Sequence, residues 1–64
     1  MKCEEEIKRF KEAFEKLWSL GINPKHLGRE IRELGIRGKL TPEILNAVIE
    51  FRRARRSLFS CALR

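Results

Sequence analysis

The chain has no Asp, no Gln and no Tyr among its 64 residues, and its only imidazole is His26. All nine acids are Glu. A Ser-His-Asp triad therefore has no Asp to orient the base. Paired-carboxylate catalysis needs two Glu converging in a cleft. A chain of 7.6 kDa has little interior in which to shift their protonation. Cysteine is scarce too, with two residues at the chain's two ends, Cys3 and Cys61. Together with His26 they match no common zinc spacing, and no CxxC or HxxxH occurs. Neither a metal nor another cofactor is expected, and the inventory points away from an enzyme. No apolar run approaches the ~18 residues of a membrane-spanning helix. Charges begin at Lys2, so no secretory leader is expected either.

What is present is charge and apolar periodicity. Charged residues make up 38% and hydrophobic ones 42%, a balance that suits one small folded domain over 1–64. The formal net charge is +6. It is uneven, since residues 1–21 balance, whereas Arg52, Arg53, Arg55, Arg56 and Arg64 crowd the C-terminal end without an acid. Part of that cluster suits the negative end of a helix dipole and needs no partner.

The pattern predicts three helices, near 3–20, 24–34 and 42–62. In the first, Cys3, Ile7, Phe10, Phe14 and Leu17 form one apolar stripe, widened by Trp18 and Leu20. Glu4–Lys8, Glu5–Arg9 and Glu12–Lys16 are favourable i,i+4 pairs. Gly21 is a natural helix stop. The second helix opens at Ile22-Asn23-Pro24, with Asn23 as cap, Pro24 in the first turn and Ile22 stapling to Leu27. Leu27, Ile31 and Leu34 are its apolar face, and Gly35 is expected to end it. Gly28 inside it suggests the close approach of another helix beneath Trp18. Residues 35–40 read as an ordered loop tucked onto the core. The third helix repeats the start signal as Leu40-Thr41-Pro42, with Thr41 as cap and Leu40 stapling to Leu45.

That third helix carries two stripes. Ile44, Val48, Phe51, Ala54, Leu58 and Cys61 are the core face. Leu45, Ile49, Arg52, Arg56, Phe59 and Leu63 form the second. A helix apolar on two faces either packs against two elements or leaves a patch for a partner. Helix 2 covering Leu45 and Ile49 is the plainer alternative. Both cysteines continue core stripes, so a Cys3–Cys61 bridge fits two long antiparallel helices, with the short helix 2 crossing between them. Two buried free thiols in a reducing compartment are the other arrangement. A formed bridge implies an oxidising setting. The expected core is Ile7, Phe10, Phe14, Leu17, Trp18, Leu27, Ile31, Leu34, Ile44, Val48, Phe51 and Leu58.

Two functional surfaces follow. Leu45, Ile49, Arg52, Arg53, Arg56, Phe59 and Leu63 would anchor a protein, for instance one with an acidic surface, or a second copy, since Arg and aromatics are frequent hot spots. Alternatively Arg52, Arg53, Arg55, Arg56 and Arg64 would grip nucleic-acid phosphates, with Phe59 stacking on a base. A sequence-reading helix-turn-helix does not fit, because helix 3 opens with Glu43 and only Asn46 suits a base edge. A membrane surface is a poor match for a helix committed to the core.

The Glu/Lys/Arg faces, Asn-Pro and Thr-Pro helix starts, Gly stops and end-to-end cysteines resemble de novo designed helical miniproteins. That resemblance covers the whole chain and implies a binder, or a scaffold made without a partner. Residues 27–61, through Leu40-Thr41-Pro42-Glu43 to Arg55-Arg56-Ser57, resemble the C-terminal helix pair of HEPN-type helical domains. Arg56 matches the Arg of their ribonuclease members. Ser57 stands where Asn is usual and Cys61 where the catalytic His would be, so the resemblance implies the fold without the nuclease chemistry.

Overall fold

A computed structural model describes residues 2–63. It is all-α among those residues: α1 spans Glu4–Ser19, α2 Leu27–Ile36 and α3 Pro42–Ala62. A single 3-10 turn, Pro24–His26, leads into α2. The two long helices pack antiparallel, and a disulfide joins Cys3 to Cys61 across 6.0 Å between their Cα atoms. The molecule is elongated, 42 × 19 × 17 Å. α3 accounts for much of that length, since 21 helical residues rise about 31 Å.

The expected punctuation operates at three of four points. Asn23 Oδ1 accepts from the Lys25 N–H at 3.0 Å, and Thr41 Oγ1 from the Ile44 N–H at 3.2 Å. Each satisfies one orphan donor of a helix start. Gly21 closes α1 in the left-handed region at φ 81°. The Ile22 N–H then reaches back to the Leu17 carbonyl at 2.9 Å, and the Gly21 N–H to that of Trp18 at 3.0 Å. This paired closure carries an apolar contact between the residue after the glycine and the last turn. Here those residues are Ile22 and Leu17, the two largest side chains withdrawn fully from solvent. The stop signal of α1 is thus also the centre of the core.

The fourth point is a correction. Gly35 does not end α2, which continues through Ile36. Gly38, at φ 68°, makes the stop instead, with the Lys39 N–H on the Leu34 carbonyl at 2.9 Å. Gly35 follows Leu34 and Gly38 follows Arg37, and of the two only Gly38 takes the left-handed conformation that reverses the chain. Ile36 is consequently exposed rather than tucked onto the core. The start of the second helix differs as well, because residues 24–26 wind as a tighter turn before α2 begins at Leu27. Helix 1 begins one residue later than expected. Cys3 is its cap residue, held at φ 68° in the left-handed region that only glycine enters freely.

Ala13, Leu17, Ile22, Ala47, Val48, Phe51 and Ala54 form the buried core, and Pro24 is buried as well. Phe10, Phe14, Leu20, Leu27, Ile31, Leu34 and Ile44 pack against them half-buried. Ile7 and Leu58 are half-buried too. Trp18, expected in the core, is 51% exposed. The reason is a rotation of α1. The face toward α3 runs Cys3-Glu6-Phe10-Ala13-Leu17, so Ile7, Phe14 and Trp18 fall on its flank. Three alanines, Ala13, Ala47 and Ala54, form much of the seam and let the two helices approach closely.

α2 is attached differently. No Cα atom of α2 lies within 8 Å of one in α1 or α3. It reaches the core only through the tips of Leu27, Ile31 and Leu34. Gly28 therefore has no close neighbour, and a Cβ there would meet nothing within 4 Å. The expected close approach beneath Trp18 is absent. The ion pairs are peripheral: Arg9–Glu5 at 3.3 Å, Arg29–Glu33 at 3.7 Å and Lys16–Glu50 at 3.9 Å, all well exposed. Lys16, expected to pair with Glu12, reaches across to α3 instead. Exposed pairs of this kind contribute at most about 1 kcal/mol each.

Candidate functional site

Two long surfaces flank the α1–α3 pair, and they differ in character. On one side Arg9, Glu12, Lys16, Glu50, Arg53 and Ser57 line a shallow depression of about 380 Å³. Charges of both signs alternate there, and the Lys16–Glu50 pair closes it over. Ala13 and Ala54 form its floor.

The other side is apolar. A groove of about 470 Å³ runs between Phe10 and Phe14 of α1 and Phe51, Leu58, Phe59 and Ala62 of α3, with Pro24 at one end. The only charged residues lining it are Lys25 and Arg55. Phe10 and Phe51 have ring centroids 5.3 Å apart, and Phe14 stands 6.2 Å from Phe10 and 6.4 Å from Phe51. Tilted contacts at these spacings suit the aromatic quadrupoles. The Arg55 guanidinium lies 5.7 Å from the centroid of Phe59, a cation–π contact that holds that exposed ring against the rim. Trp18 extends the surface, its ring 6.3 Å from Phe14. A second depression there is lined by Phe10, Lys11, Phe14, Glu15 and Trp18. All five aromatic residues of the chain, four Phe and one Trp, thus lie along this one side.

The groove is open because α2 is short and offset. In a full bundle another helix would lie along this seam. α2 contributes only Leu27, Ile31 and Leu34, and its backbone stays clear of both long helices. Arg55, Phe59 and Ala62 are left exposed along it.

The residues expected to bind a protein divide between surfaces. Leu45 and Ile49 are 42% and 47% exposed, so α2 does not bury them. Phe59 is 58% and Leu63 85% exposed. Arg52, Arg53 and Arg56 are all exposed on α3. Phe59 belongs to the apolar groove, whereas Arg53 lines the mixed-charge depression on the other side. Arg56 sits beside Glu6, Arg9 and Cys61 near the disulfide. Among the residues expected to bind nucleic acid, Arg52, Arg53, Arg55 and Arg56 are all exposed within five residues of α3. Arg55 lines the apolar groove, Arg53 and Arg56 line depressions that also hold glutamates, and Arg64 lies outside the described residues.

Helix 1's share in the groove was hidden in the sequence. Phe10, Phe14 and Trp18 read as core because aromatic residues dominate a hydrophobic pattern. The competing stripe through Ala13 was the available signal, and a small residue weighs little in such patterns. Among the described residues, one cluster gathers three potential metal ligands within 4.8 Å of one another: Cys3, Glu6 and Cys61. Both sulfurs are engaged in the disulfide, which leaves a single carboxylate.

A scan against protein-family models finds no match, and searches of curated proteins and of solved structures find none either.

Proposed function

We propose that this chain is a non-enzymatic helical binding module that presents α3, with the adjoining face of α1, to a partner protein. The observation carrying this reading is the apolar groove and adjoining depression in which exposed Phe59 and Trp18 and half-buried Phe10 and Phe14 gather over the buried Phe51 ring. Aromatic side chains flanked by Arg are the residue types that dominate protein-binding hot spots. Phe59 and Leu63, more than half exposed, add apolar surface that folding alone does not require. The glutamates beside Arg53 and Arg56 favour this reading over phosphate binding, since they would face a polyanion.

Selection of a displayed peptide library on the immobilised protein tests the proposal. Binders should emerge that lose most of their affinity for the Phe59→Ala variant. A parallel anisotropy titration with mixed-sequence DNA and RNA should give no salt-sensitive micromolar binding. Affinity for nucleic acid that collapses between roughly 50 and 200 mM salt, with no peptide binders, overturns the reading in favour of the Arg cluster.

A further inference from the structure

The groove between α1 and α3 carries information about its occupant, and we infer that it takes an acidic amphipathic helix of about three turns. This inference rests on the binding-module reading and specifies it. The shape comes first. The groove is lined along α3 from Phe51, buried at its floor, to exposed Ala62, roughly 16 Å at the helical rise. Its walls are two antiparallel helices joined at one end by the Cys3–Cys61 disulfide. A helix laid into such a seam takes the place that a longer α2 would fill. Its apolar residues at i, i+3, i+4 and i+7 would meet Phe10, Phe14, Phe51, Leu58 and Phe59.

The charge comes second. Lys25 stands at the Pro24 end and Arg55 on the α3 wall, and no carboxylate lines the groove. Acidic residues flanking the apolar stripe of an incoming helix would face both cations. A second copy of this chain is the wrong occupant on the same argument. Each copy carries a net charge of +6, and docking would bring like-charged surfaces together. The opposite side of the helix pair, where Glu12 and Glu50 alternate with Arg9, Lys16 and Arg53, offers an acidic helix no such bias.

The test uses the intact oxidised protein and two synthetic peptides of one apolar pattern. One carries Glu beside its leucines and the other carries Lys at the same positions. Backbone amide shifts map the contact, and calorimetry gives the affinities. The Glu peptide should bind at least about 10-fold more tightly than its Lys twin, a difference of about 1.4 kcal/mol. Its shifts should cluster on Phe10, Phe14, Phe51, Leu58 and Ala62. Arg55→Glu, an exposed substitution that leaves the core untouched, should narrow or reverse that preference. Equal affinities for the two peptides overturn the inference, as does the absence of Glu-peptide binding at roughly millimolar concentration. Shifts confined to Leu45, Ile49 and Leu63 overturn the groove but leave the binding-module reading standing. A dimer in sedimentation whose contacts fill the groove overturns it in favour of a second copy.

Discussion

Removing the disulfide is the sharpest perturbation of this fold, because it closes nearly the whole chain. Cys3 and Cys61 are 58 residues apart in sequence. The chain-entropy relation for a loop of that size gives about 4 kcal/mol of stabilisation at 25 °C. A domain of this length is typically stable by roughly 3–10 kcal/mol in total. One term offsets the loss. Cys3 is held at φ 68°, and freeing it lets the first residues relax, returning about 1 kcal/mol. A net loss of about 3 kcal/mol is expected for the Cys3→Ser/Cys61→Ser double variant. Urea unfolding followed by circular dichroism measures it. With a slope near 1 kcal/mol per M, the midpoint should fall by about 3 M. Reduced wild-type protein should agree with the double variant, which separates loss of the bond from the change of side chain. The free energies extrapolated to water should be compared, since the cross-linked unfolded chain is more compact and alters the slope. A loss below about 1 kcal/mol would refute the reasoning and show that α1 and α3 hold together by packing alone.

Three further outcomes follow from particular residues. Gly28→Ala and Gly35→Ala should each raise stability by up to about 1 kcal/mol in thermal melts, since both are helical and neither has an atom within 4 Å of the added Cβ. Destabilisation by either would reveal a packing role for the glycine. Leu17→Ala should cost about 2–5 kcal/mol, whereas Trp18→Ala should cost clearly less because half of that side chain is in water. A larger loss at Trp18 than at Leu17 would contradict the rotated face of α1. In hydrogen exchange the amides of α2 should open before those of α1 and α3, since α2 buries no residue completely; equal protection throughout would refute its peripheral attachment.

Much of this architecture is written locally. Asn23-Pro24 and Thr41-Pro42 start segments because their side-chain oxygens and fixed φ serve the first turn whatever surrounds it. Gly21 stops α1 for an equally local reason. The cysteine pair was legible because each residue sits at the end of a core stripe. Long-range choices were harder to read. Gly35 and Gly38 are both plausible stops, and only the path of the chain into α3 selects Gly38. The rotation of α1 depends on which face α3 accepts. Ala13 on α1 and Ala47 and Ala54 on α3 lie in the seam, which turns Trp18 outward and leaves Phe14 half-buried against Phe51. Pattern reading counted those aromatics as core because it ranks residues by hydrophobicity, whereas two helices in contact also select by size. The groove was missed for the same reason, since it is built from residues that the pattern had already assigned to the interior.

The open groove and the disulfide are connected by energetics. A chain of 64 residues has a small core, and leaving Phe10, Phe14 and Phe59 partly in water forgoes burial that a longer α2 would have supplied. Without another source of stability, such a seam tends to collapse or recruit a second copy. The Cys3–Cys61 bond works against collapse by fixing the far ends of α1 and α3. The net charge of +6 works against recruitment by keeping copies apart. Lys25 and Arg55 carry that charge to the rim of the groove itself. The covalent staple and the charge excess, which look like independent features of composition, thus act on the same surface. On the proposed reading, one ties the walls of the groove together at their far end, and the other would favour an anionic partner over the chain's own copies.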